Sequence, residues 1–200
     1  MCIRDRWWRL ITAGFLHGGT IHIALNMLAL WFVGTALEDG IGALPMAVVY
    51  LSSVLWGSAG AVLLDPMAVT VGASGGVFGL MGALVVVARQ RGLHEVTRSV
   101  LVVVGLNLVF TFAVPGISVG GHIGGLLGGA VAAFALMDGG RVRRVTAPAT
   151  AAAVVLVLGA AVAVGLYFAS HPLESRVAAV AGHADTAFVA SAPGVRHGDR

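Results

Sequence analysis

Lysine is absent from this sequence, cysteine occurs once, and charge of either sign is scarce. The lone thiol, Cys2, excludes an intrachain disulfide and a thiolate metal cluster. Asp, Glu, Lys and Arg together make up 10% of the 200 residues, against roughly 25% in a soluble domain. With 58% hydrophobic residues and a mean hydropathy of +0.95 there is too little polar surface to face water, and the chain reads as an integral membrane protein. A basic stripe with interleaved aromatics is also lacking. The twelve basic residues, all Arg, lie scattered between apolar segments, so the net charge of +3 reflects topology and nucleic acid is not an expected partner. No internal repeat period is visible. Met1 to Arg6 has no apolar h-region and does not read as a signal peptide.

What is present is a succession of six apolar segments, at about Thr20–Leu37, Ala43–Leu64, Ser74–Ala88, Ser99–Val114, Gly121–Met137 and Ala149–Ala169. A bilayer core near 30 Å calls for about 20 residues, so the third is short and the rest are near full length. Turn signals separate them: Glu38-Asp39-Gly40, Asp65-Pro66, Arg89 to Gly92, Pro115-Gly116 and Arg141 to Pro148. The expected fold class is all-α, a polytopic transmembrane helical bundle. Arg89, Arg91 and Arg98 follow the third segment and Arg141, Arg143 and Arg144 the fifth, which places both loops in the cytoplasm. The first, third and fifth segments then all descend from the outer face. Arg4, Arg6 and Arg9 fall outside against that rule, a conflict that an upstream helix setting the orientation would resolve. Residues 170–200 form a polar tail, expected to be poorly ordered.

Within the spans, polar side chains are the informative ones, because each costs free energy unless paired. Ser74 lies among glycines in Gly72-Ala73-Ser74-Gly75-Gly76. That spacing matches the nucleophile elbow of soluble hydrolases, but the elbow needs a preceding strand and an α/β body, and neither is supplied. Taken alone, a glycine-flanked serine in an apolar chain is more often plain helix packing. Heights decide what it meets. At about 1.5 Å per residue, Ser74 stands about 22 Å above Arg89, His122 about 24 Å above Asp138, and His22 and Asn26 about 24 and 18 Å above Glu38. A hydroxyl, two imidazoles and a carboxamide from three helices thus converge on one layer. His22 and Asn26, four apart, share a helix face. Irregular backbone from Asp65 to Ala73 at that depth requires cover by protein or a wet cavity.

Trp8-Arg9, then His17, His22 and Asn26, then Gly72-Ala73-Ser74-Gly75, then Gly121-His122 with Gly125 and Gly129 behind it, resemble the rhomboid intramembrane serine proteases in order and spacing, from about Trp7 to Met137. The resemblance implies Ser74 as nucleophile and His122 as its general base, without an orienting carboxylate. It implies an oxyanion site of His22, Asn26 and the backbone N–H of Ser74. Phe78, one turn beyond Ser74, stands where the family often has tyrosine and is expected to pack on the His122 ring. Gly75 and Gly79 with Gly121, Gly125 and Gly129 are small-xxx-small rows that let the two helices approach. Gly72 supports the loop, and His17 is expected to support the site by hydrogen bonding. No carboxylate or cysteine completes a metal site with the histidines, and no cofactor is called for.

Five expected regions follow: a remnant of the family's outer loop at 1–19, a rhomboid-like core of five helices at 20–138, a basic linker at 139–148, a further transmembrane helix at 149–169, and the tail at 170–200. The family's core has six helices, the first ahead of the outer loop. The parent protein is therefore expected to carry six core helices and one C-terminal helix. The implied function is cleavage of single-span membrane proteins in or near their transmembrane segments, in a bacterial plasma membrane, with the active site opening to the outer face. Two other readings are weighed against it. A catalytically silent binder of membrane helices would be expected to lose Ser74 or His122, and both are present. A transporter would call for a membrane-embedded carboxylate or an inverted repeat, and neither is visible.

Overall fold

In lipid a backbone must satisfy its own N–H and C=O groups, and a helix does so within a single segment. The apolar runs accordingly fold as helices in the structure, a computed structural model that describes residues 8–64, 70–138 and 140–142. A short α1 (Arg9–Thr12) and a 3₁₀ turn (Ala13–Phe15) lead into α2 (Thr20–Ile41). Then come α3 (Ala43–Leu64), α4 (Ser74–Gln90), α5 (His94–Ala113) and α6 (Val119–Leu136). Four of them (α2, α3, α5 and α6) are long and apolar enough to cross a membrane, and α4 is a shorter apolar helix. The fold is all-α, and the chain is an integral, multi-pass membrane protein.

Three helix boundaries differ from those read off hydropathy, for one reason. Apolarity marks only the part of a helix that lies in lipid, while the helix itself continues into water. So α2 runs through Glu38-Asp39-Gly40, expected as a turn, and stops where Gly42 takes a left-handed φ of 90°. Likewise α5 starts at His94, ahead of its first apolar stretch, and α4 extends to Gln90. The start of α6 is set by Ser118, whose Oγ accepts from the backbone N–H of Gly121 at 3.0 Å. Of the expected linker, Arg141–Val142 pairs antiparallel with Met137–Asp138 around Gly140. The expected helix at 149–169 and the tail lie outside the described residues, as do residues 1–7.

At the centre stands α4, which packs on α2, α3, α5 and α6 and is buried from Gly76 to Ala83. The helices that bury least are α2 and α5. Ile21, Leu28, Trp31 and Phe32 on α2, and Leu106, Val109 and Phe112 on α5, are exposed, on surface that lipid would cover. Close packing around α4 depends on glycines of α6. A Cβ on Gly125 would run into the carbonyl of Gly75, and one on Gly129 into that of Gly79. A second row, Gly120, Gly124 and Gly128, faces α3 at Gly60 and Trp56. Backbones thus meet directly on two sides of α6.

Arg91 ties the C-terminal ends of three helices together. Its Nη2 donates to the carbonyl of Gly40 after α2's last charges, at 2.6 Å, and its Nε to that of Gly140 beyond α6, at 3.1 Å. These bonds hold the C-terminal ends of α2, α4 and α6 to one another.

Candidate active site

Ser74 owes its position to the glycine before it. Gly72 has φ 130°, which disfavours any side chain, and a Cβ there would stand 2.9 Å from Cε1 of His22. Its backbone N–H donates to the carbonyl of Ala13 at 2.9 Å, anchoring the loop under the 3₁₀ turn. Ala73 is buried, and Ser74 opens α4. As the first residue of a helix, Ser74 has a backbone N–H without an intrahelical acceptor. The seventeen residues of α4 span about 25 Å, less than the ~30 Å hydrocarbon core. Alone, α4 is therefore too short to reach from one face of that core to the other.

His122 sits in the first turn of α6, and its Nε2 lies 2.9 Å from Ser74 Oγ. Two further groups hold the imidazole. The Phe78 ring, one turn beyond Ser74, stacks on it with centroids 4.1 Å apart and planes 17° from parallel. On its other nitrogen, Nδ1, the hydroxyl of Thr111 stands at 2.7 Å. Thr111 belongs to α5 and was not among the residues singled out from the sequence. The available signal was Asn107 and Thr111, two polar residues four apart in an otherwise apolar span.

His22 and Asn26 lie on α2, across the same space. The backbone N–H of Gly18 donates to His22 Nδ1 at 3.3 Å. That nitrogen must offer a lone pair, so in the neutral ring the proton rests on Nε2, the edge that faces Gly72. Asn26 is buried, and one N–H of its Nδ2 donates to the carbonyl of His22 at 2.9 Å, leaving a second N–H. His17 stands edge-on to His22, with centroids 5.3 Å apart. Its Nε2 is buried without a hydrogen-bond partner among the described residues, so this support is a ring contact. Ser74, His122, His22, Asn26, Gly72 and Thr111 all line one cavity of about 510 Å³. Gly75 lines it too, and Gly125 packs backbone against backbone on Gly75.

A family model for the rhomboid domain matches residues 4–139. The chain belongs to the rhomboid family. Rhomboid protease GluP of Bacillus subtilis is 43% identical over 136 residues, covering 66% of this chain and 27% of that protein. RHOMBOID-like protein 4 of Arabidopsis thaliana is 34% identical over 140 residues, 66% of this chain and 35% of its own length. The putative rhomboid protease YdcA of Bacillus subtilis is 31% identical over 132 residues, 64% and 66% respectively. The chain thus spans between about a quarter and two thirds of the length of these rhomboid relatives. The matched stretch contains α1 to α6 and every residue of the cavity named above.

Proposed function

We propose that this chain is the catalytic core of an intramembrane serine endopeptidase. One observation carries the reading: Ser74 Oγ and His122 Nε2 lie 2.9 Å apart, from two different helices, in one cavity of about 510 Å³. Ser74 attacks the scissile carbonyl while His122 takes its proton, then returns it to the leaving amine; water enters and the same sequence frees the acyl group. The cavity has room for on the order of ten waters. The oxyanion is received by Nε2–H of His22, the second N–H of Asn26 and the backbone N–H of Ser74. No cofactor takes part in this chemistry.

The substrates are single-span membrane proteins, reached through the bilayer and cut near the outer end of their helices. The orientation follows from Arg89, Arg91 and Arg98 at the end of the bundle opposite Ser74, which the positive-inside rule assigns to the cytoplasm. The site then opens to the outer face of a bacterial plasma membrane. Of the three relatives described above, GluP is named a rhomboid protease and YdcA a putative one. A silent binder of membrane helices has no use for a serine hydroxyl held against an imidazole.

The test is labelling with a fluorophosphonate, which reacts only with an activated serine. Detergent-solubilised protein is expected to label, Ser74→Ala to be blank, and His122→Ala to label far more slowly. Undiminished labelling in Ser74→Ala would sink the reading. Client turnover that survives Ser74→Ala unchanged would favour the silent binder.

A further inference from the structure

Only two residues of α5 are buried, Val104 and Thr111. Val104 packs with Val77 and Met81 in an apolar cluster. Thr111 has a different neighbour. Its Oγ1 makes two contacts of 2.7 Å, one to the backbone carbonyl of Asn107 and one to Nδ1 of His122. A carbonyl oxygen brings no proton, so the Asn107 contact uses the single proton of the hydroxyl. The remaining contact is a hydrogen bond only if Nδ1–H of His122 donates to the Thr111 oxygen. The proton of the neutral ring is thereby fixed on Nδ1, and Nε2 turns its lone pair toward Ser74.

We propose that Thr111 is a positioning residue that sets the tautomer and tilt of His122 from a third helix. It occupies the place that a carboxylate takes in a triad, using a neutral oxygen. This rests on the reading of Ser74 and His122 as nucleophile and base. Back-bonding of a helical threonine to the carbonyl four residues earlier is common. By itself that habit explains the Asn107 contact and leaves the 2.7 Å approach of Nδ1 without a cause. As Ser74 gives up its proton, the ring holds protons on both nitrogens, and Thr111 still accepts from Nδ1–H. Without the hydroxyl, Nδ1–H loses its acceptor, and the other tautomer, with the proton on Nε2, can no longer serve as base.

The experiment compares wild type, Thr111→Val and Thr111→Ser in detergent, with Ser74→Ala as the blank. It reads the rate of fluorophosphonate labelling, the melting temperature and the ¹⁵N spectrum of the histidines, with His122 assigned by His122→Gln. Valine keeps the branched shape and removes the oxygen. The expected result is labelling slowed about tenfold or more in Thr111→Val, from loss of the correctly protonated base, and largely restored in Thr111→Ser. In the same samples Nδ1 of His122 is protonated in wild type and mixed in Thr111→Val. A Thr111→Val rate and spectrum equal to wild type overturn the proposal. So does an equal loss in both variants that follows the melting temperature, which would mark a packing role alone. If wild type fails to label at Ser74, the endopeptidase reading falls, and the His122 spectra alone decide the role of Thr111.

Discussion

Phe78 and His122 lie face to face, 4.1 Å between ring centroids, and this contact joins the second turn of α4 to the first turn of α6. The stack limits rotation of the imidazole about an axis that the hydrogen bonds at its two nitrogens leave free. An aromatic pair of this kind is worth ~0.5–1.5 kcal/mol beyond its burial. Replacing Phe78 by Leu keeps an apolar side chain and removes the ring face. Labelling of Ser74 is expected to slow by about two- to tenfold, the rate equivalent of that energy, while Phe78→Tyr keeps the stack and stays near wild type. The measurement is the second-order labelling rate in each variant.

Gly125 has no side chain because the carbonyl of Gly75 passes where one would begin. In Gly125→Ala the two helices must separate, and Ser74 lies next to Gly75 in sequence. A shift of about 1 Å at a reacting pair can cost on the order of a hundredfold in rate. Labelling is expected to fall at least that far, and Gly125→Leu to abolish it, with the melting temperature lowered in both. Gly105→Ala on α5, where a Cβ meets nothing within 4 Å, is the matched control and is expected to behave as wild type. A Gly125→Ala protein that labels normally would contradict the close approach.

How much of this was legible beforehand varies with the kind of signal. The five long helices of the described residues could be read from hydropathy, whereas α1, four residues long, carries no apolar run of its own to mark it. Nothing in the sequence marks Arg91 as a clip between the C-terminal ends of α2, α4 and α6. The ends of α2 and α5 were misjudged because charged residues such as Glu38 and Glu95 continue a helix beyond the lipid. Thr111 was overlooked because a threonine in an apolar span has its own backbone as a partner. Only the crossing of α5 over α6, which no local pattern encodes, shows the second partner. The Gly120, Gly124 and Gly128 row was likewise hidden, because two glycine rows on one helix look like a single glycine-rich segment.

Arg91 leads to a prediction about stability separate from chemistry. Its fork reaches two carbonyls at once, on Gly40 and Gly140. Lysine keeps the charge and cannot span both. Arg91→Ala and Arg91→Lys are each expected to lower the melting temperature in detergent by about 2–6 °C. Labelling measured well below that temperature should stay close to wild type, since the clip lies at the opposite end from Ser74. Thermal unfolding followed by circular dichroism gives the first number. Full recovery of stability in Arg91→Lys would show that charge alone matters there.

The two donors on α2 should separate binding from catalysis. In the proposed mechanism, His22 Nε2–H and the second N–H of Asn26 meet charge only when the carbonyl oxygen becomes an oxyanion. Their loss therefore acts on the transition state and leaves the bound substrate little changed. Removing one oxyanion donor costs about 10²–10³ in kcat. For His22→Ala and Asn26→Ala, cleavage of a single-span substrate is expected to lose that much in kcat with KM within about threefold of wild type. The Asn26 variant carries a second effect, because its amide also donates to the His22 carbonyl and steadies that turn of α2. The double variant should accordingly fall by less than the product of the single losses, as residues that act on one oxygen are not additive. A rise in KM with kcat untouched would instead make both residues substrate contacts.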